Sequence, residues 1–171
     1  RDPNLYKAPL CLFKVGTDTK TYKMRAAFLN EDYLYTRTIN SFKGNEDDQN
    51  ILKNLTGLLN SSLYAYINLM IGSSIGIERE QIIKKQILQF PYKYNDGIVT
   101  IVDELSKLYS KEELFIRIES EIERNIKKLD ELVLDVFGLK NNVFIDYALN
   151  IQIPELTDKK YRRDIKKADR E

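Results

Sequence analysis

Asp48-Gln49-Asn50-Ile51-Leu52-Lys53-Asn54-Leu55-Thr56-Gly57-Leu58-Leu59-Asn60-Ser61-Ser62-Leu63-Tyr64-Ala65-Tyr66-Ile67-Asn68-Leu69-Met70 is the stretch on which the fold turns. Ile51, Leu52, Leu55, Leu58, Leu59, Leu63, Tyr66, Leu69 and Met70 recur at three- and four-residue steps, the period of one helix face. Asp47 or Asp48 can cap the start and Gly72 follows the end. The spacing predicts one long amphipathic helix over 48–70. Its stripe is read as core, a commoner use of such a stripe than a cofactor pocket.

Upstream of that helix the pattern is that of strands. Ala8 to Val15 is a short apolar run closed by Gly16, and a second run covers Thr21 to Phe28. A third, Tyr33 to Ile39 and ending near Lys43-Gly44, is aromatic and β-branched. Asn30-Glu31-Asp32 lies between the second and third runs. Its side chains suit a turn, so those two runs are expected to form a hairpin.

Downstream the chain reads as helical. The segment from Ser73 to Gln89 is less regular and stops at Phe90-Pro91. Ile98, Ile101, Val102, Leu105 and Leu108 outline one helix. Phe115, Ile118, Ile122, Ile126, Leu129, Val133 and Val136 outline the next, at the 3.5-residue average of a coiled-coil seam. That seam is expected to fold back on the preceding helix, although pairing with a partner helix stays open. Val143 to Ile151 gives a shorter helix, and Pro154 to Glu171 is charged with little to bury. The fold class is therefore α+β: a small twisted β-sheet with a packed long helix, followed by a helical hairpin or coiled-coil-like segment. The expected division is a β-rich part over 1–95, a helical segment over 96–153 and a loose charged tail over 154–171.

The 171 residues carry 27 basic and 26 acidic groups, so bulk charge draws no polyanion and any nucleic-acid contact must be local. Locally the balance is uneven. Residues 1–43 hold eight basic and four acidic groups; residues 111–135 hold five and eight. There is no histidine, which removes His-based metal sites and triads with a histidine base. The single Cys11 forms no intrachain disulfide and suits a reducing, cytoplasmic setting. No apolar run is long enough to span a bilayer, so no membrane partner is expected. The chain starts at Arg1 rather than methionine, which suggests a piece of a longer protein.

Catalytic signatures are missing. The seven glycines form no dinucleotide or phosphate loop, and the four prolines are isolated. Asp18-Thr19-Lys20 and Asp158-Lys159-Lys160 match the acidic-x-Lys half of a metal-dependent nuclease site, but no proline-aspartate partner accompanies either. Solvated turn and tail charges are the better reading, and no catalytic or metal-binding residue is assigned. What remains suits binding. Lys23, Arg25 and Arg37 fall on the expected hairpin beside Tyr22, Tyr33 and Tyr35. Lysine and arginine neutralise phosphates, and arginine also reads guanine edges. The alternative is ordinary edge-strand charge with half-buried tyrosines. Arg79, Lys84 and Lys85 could line a groove or sit on a solvated helix face, since Glu78 and Glu80 offset part of their charge. The DNA-facing candidates taken together are Lys14, Lys20, Lys23, Arg25, Tyr35, Arg37, Asn40, Ser41, Lys43, Arg79, Lys84 and Lys85.

The order of segments adds a resemblance. Arg25-Ala26-Ala27-Phe28 and Tyr33-Leu34-Tyr35 lead to Ile39-Asn40-Ser41-Phe42-Lys43-Gly44; Leu58-Leu59-Asn60-Ser61, Gly72-Ser73-Ser74, Ile87-Leu88-Gln89-Phe90-Pro91 and Leu129-Asp130-Glu131-Leu132-Val133 to Gly138-Leu139 follow. Over roughly residues 8–150 this resembles the C-terminal target-recognition domain of adenine-specific DNA methyltransferases in bacterial restriction-modification systems. The resemblance implies sequence-specific recognition of double-stranded DNA. It implies S-adenosylmethionine chemistry on a separate catalytic domain or subunit, whose glycine-rich loop and Pro-Pro step this sequence lacks. No methylation residue and no base-reading residue carries over by motif. Two alternatives accompany it: half of a specificity subunit with Phe115–Val136 as a spacer that self-associates, and a protein-interaction module using the same seam.

Overall fold

Leu10-Cys11-Leu12-Phe13 is apolar without alternation, and a strand of that kind belongs where both of its faces are covered. In the computed structural model, which describes residues 3–18, 21–71, 84–110 and 115–152, β1 (Leu10–Lys14) is the central strand. Its first four residues are buried. β2 (Ala26–Leu29) and β3 (Ile39–Lys43) flank it, both antiparallel, in the order β2-β1-β3.

The expected hairpin between the second and third runs does not form: β2 and β3 each pair with β1 and not with each other. Strand two is also shorter than its run. Thr21 to Arg25 is irregular, with Tyr22 buried at a positive φ of 55°. The third run, expected from Tyr33 to near Lys43-Gly44, forms a strand only in its second half, over Ile39–Lys43. After Asp32 the chain turns to the 4–8 segment instead of to β2. Asp32 accepts from Ala8 N at 2.9 Å and Lys7 Nζ at 2.7 Å, and Tyr33 N donates to Tyr6 O at 3.0 Å.

The long helix is two helices, α1 (Gln49–Asn60) and α2 (Ser62–Ile71). Ser61 separates them in an extended conformation and serves both ends. Its hydroxyl donates to Leu58 O at 2.7 Å and accepts from Tyr64 N at 3.3 Å. Asn60-Ser61-Ser62 is a run of residues that favour helix ends, and that preference outweighs the apolar period across it. Ile51 and Met70, at the margins of the stripe, are exposed; Leu52, Leu58, Leu59, Leu63 and Tyr64 are core.

α3 (Lys84–Ile87) precedes α4 (Asp96–Tyr109), α5 (Phe115–Val136) and α6 (Val143–Tyr147). Asn95 caps α4 by accepting from Gly97 N at 2.8 Å, and Asn142 caps α6 by accepting from Phe144 N and Ile145 N. The seam folds back as expected: Gly97 at the start of α4 lies against Leu132 near the end of α5. Gly57 of α1 meets Ile98, Val102 and Leu129, so sheet, α1 and the α4–α5 hairpin share one core. Cys11, Phe13, Leu58, Leu59, Ile98, Leu129 and Val133 all belong to it. The core therefore crosses the expected 95/96 boundary. The tail expected over 154–171 lies outside the described residues. No helix among the described residues is long and apolar enough to cross a membrane.

Candidate nucleic-acid interface

The register of a three-stranded sheet decides which side chains leave the core. Opposed residues in antiparallel strands share a face. Cys11, Phe13, Ala26, Phe28 and Phe42 therefore form the face that packs on α1. Leu10, Leu12, Lys14, Ala27, Leu29, Ile39, Ser41 and Lys43 form the distal face. Part of this face is a trough of about 450 Å³, lined by Leu12, Ala27, Leu29, Tyr33 and Ile39 with Lys14 and Arg25 beside it.

The structure sorts the candidate cations by their partners. Lys23 is largely buried and donates to Asp130 Oδ2 at 2.7 Å. Arg25 is exposed, but its guanidinium is paired with Asp18. Neither stands on a strand of a hairpin with Arg37, because Lys23, Arg25 and Arg37 all lie outside the strands. Lys14, Arg37 and Lys85 are exposed and make no ion pair among the described residues. Lys43 donates to Asn4 O at 3.0 Å, and its charge is felt at Asp32. Lys84 donates to Ser41 O at 2.6 Å and sits 4.7 Å over the Phe42 ring. Lys20 and Arg79 lie outside the described residues.

The polar candidates are turned inward. Tyr35 donates to Leu5 O at 3.1 Å and accepts from the Ser41 hydroxyl at 2.6 Å, with its ring 5.0 Å from that of Tyr6. Ser41 is 8% exposed. Asn40 is half-buried opposite Phe13 on the helix-side face. Tyr35 and Ser41 thus tie the sheet to its covering loop.

Lys14, Arg37, Lys43 and Lys84 thus gather around β3, with Lys85 next to Lys84 in the chain. Lys14 is the cross-strand partner of Ile39, and Lys43 ends the same strand. Ile39 to Lys43 spans about 13 Å at ~3.3 Å per residue, close to four phosphate steps along one DNA strand at ~3.4 Å each. α5 carries the opposite charge, with Glu119, Glu121, Glu123 and Glu131 exposed.

Sequence reasoning missed the neutralising carboxylates. Asp130 is 107 residues from Lys23, a separation no local pattern encodes. Asp18 is seven residues from Arg25 across a loop. It also missed the Thr36–Thr38 hydroxyl pair at 2.7 Å that flanks Arg37. Asp32 is held below the usual carboxylate range, first by the Lys7 hydrogen bond, and Lys7 is raised by the same bond. Among the described residues no group of three or more acidic, Cys or His side chains could hold a metal ion. Neither a protein-family model nor a curated protein sequence matches the chain.

Proposed function

We propose that this chain recognises double-stranded DNA, as the target-recognition part of a restriction-modification adenine methyltransferase. The S-adenosylmethionine chemistry belongs to a separate catalytic domain or subunit, because this sequence has neither a glycine-rich cofactor loop nor a Pro-Pro step. The observation that carries the reading is the cluster around β3. Five exposed cations there make no ion pair with a carboxylate among the described residues, whereas Lys7, Lys23, Arg25 and Lys53 each have an aspartate. Unpaired cations keep their field for phosphates, and releasing DNA counterions drives association.

The helical end is the natural place for the catalytic domain. Val143 and Phe144 on α6 are 76% and 85% exposed, apolar side chains of a kind that mark contact surfaces when grouped. The α5 seam is a poorer partner surface, since Leu129 and Val133 are buried within the chain.

Fluorescence anisotropy on a mixed-sequence duplex tests the reading. Five phosphate contacts predict a slope of about −4.5 in log K against log salt, so raising salt from ~50 to ~200 mM weakens binding ~500-fold. Replacing Lys14, Arg37, Lys43 and Lys85 together by alanine flattens the slope by about 3.6. An unchanged slope in that variant, or no binding by the parent at low salt, overturns the reading.

A further inference from the structure

Two arginines flank the distal sheet face, and their surroundings differ. The guanidinium of Arg25 is taken by Asp18, so reading a base with it would first require breaking an ion pair. Arg37 is exposed, and its side chain has no hydrogen bond or ion pair among the described residues. Its backbone, by contrast, is held closely. Ile39 N donates to Thr36 O at 3.1 Å, closing a turn with Arg37 and Thr38 at its centre. The Thr36 and Thr38 hydroxyls bond each other at 2.7 Å beneath it, and Val15 N donates to Thr38 O at 2.9 Å, fixing the turn to the end of β1. A free guanidinium on a fixed Cα is what base reading requires. The planar fork can meet guanine O6 and N7 together, while the rigid turn fixes which base pair it meets. A narrow turn tip also fits a major groove about 12 Å wide. Lys14, opposite Ile39, stands next to this tip, where a flanking phosphate would lie.

We propose that Arg37 is the guanine-reading residue of this chain and that Lys14 fixes its register on the backbone. The inference rests on the DNA-recognition reading and deepens it. Arg37→Lys keeps the charge and removes the fork, so charge and reading separate.

The test is selection of a preferred sequence from a random duplex library with the full chain, followed by the same selection with Arg37→Lys and Lys14→Ala. The expected result is a preferred guanine that Arg37→Lys no longer selects. Its discrimination at that position should fall by roughly five- to 150-fold. Lys14→Ala should keep the same preferred sequence at uniformly weaker affinity. If Arg37→Lys selects the parent's sequence with the parent's discrimination, the assignment of Arg37 is wrong while DNA recognition stands. If the parent binds no duplex at low salt, the functional reading fails and this inference fails with it. Circular dichroism of both variants should match the parent, since neither side chain has a hydrogen bond or ion pair to lose among the described residues.

Discussion

Asp130 offers the sharpest probe of how the sheet is attached to the helices. One oxygen accepts from Ser62 N at 2.7 Å, at the first residue of α2; the other accepts from the Ser62 hydroxyl and from Lys23 Nζ, each at 2.7 Å. One carboxylate on α5 therefore caps α2 and pins the loop that leads into β2. Asp130→Ala removes all three bonds and leaves the Lys23 ammonium in a site where it is 21% exposed. Breaking a fully buried pair costs about 3–5 kcal/mol, and an exposed pair is worth about 0–1 kcal/mol. At this intermediate burial about 1–2 kcal/mol is reasonable for the pair. Losing the two Ser62 bonds at the helix start adds about 1–2 kcal/mol.

The expected destabilisation is therefore about 2–4 kcal/mol in total. In a chain of this size it lowers Tm by roughly 4–16 °C, at ~2–4 °C per kcal/mol. Urea unfolding followed by circular dichroism checks it, read as a fall in midpoint at constant slope. Asp130→Asn retains an acceptor for Ser62 and loses the ion pair alone, so it should cost less than alanine. A double-mutant cycle with Lys23→Met should give a coupling of about 0.5–3 kcal/mol. An Asp130→Ala midpoint equivalent to less than ~0.5 kcal/mol, or no coupling to Lys23, would refute the reasoning. The result also bears on DNA assays: a Lys23 variant that lost binding would be reporting on a loosened loop, not on a lost phosphate contact.

Other expectations follow from the packing. At Gly57 an added Cβ would lie 2.4 Å from Ile98 Cγ2, a side chain that is fully buried. Gly57→Ala should thus destabilise by about 1–3 kcal/mol despite its better helix propensity, as measured by the same urea titration. A side chain covers part of each sheet edge: Asn60 bonds Ala26 N and O at 3.0 and 2.8 Å, and Lys84 bonds Ser41 O. Asn60→Ala with Lys84→Ala should expose strand edges that pair between molecules, seen as concentration-dependent growth in sedimentation. Burial pushes the Cys11 thiol up to about 12. Iodoacetamide at neutral pH should therefore leave it unmodified until the chain unfolds. Burial raises Tyr64 too. Both groups keep their protons in the folded state after the unfolded chain has lost them, so stability should fall as pH rises above about 9. A Tm series across pH 8 to 10.5 checks the direction.

The sequence made legible what depends on neighbours along the chain. The apolar period of α1, α4 and α5 and the unbroken run of β1 are written in local order. The seam of α5 is legible too, but only the structure decides that it packs on α4 rather than on a partner helix. The break at Ser61 is also written locally, in three consecutive end-favouring residues that interrupt the apolar stripe. Strand pairing was harder. Asn30-Glu31-Asp32 has turn chemistry, but Asp32 uses it to hold Ala8 and Lys7, 24 and 25 residues earlier. A turn-forming residue indicates that the chain changes direction, not which strand it then meets.

Charge was the least legible property, for a physical reason that affects how the candidate site is chosen. A cation's availability to phosphate depends on whether a carboxylate stands within about 4 Å, and for Lys23 that carboxylate is on α5, 107 residues along the chain. Counting lysines and arginines by segment treats Lys23 and Arg37 alike. Folding separates them: Lys23 becomes a strut between β2's approach and α5, while Arg37 is carried outward on a clamped turn. Position along the chain nominated Asn40 and Ser41, yet the sheet register places Asn40 on the helix-side face and Ser41 under Tyr35. A binding surface on this chain is thus a remainder, left after the fold has satisfied its internal charges and hydrogen bonds. Lys14, Arg37 and Lys85 qualify because the described structure gives them no internal role. Their replacement should leave folding untouched, which is why they, rather than Lys23, can separate a recognition role from a structural one.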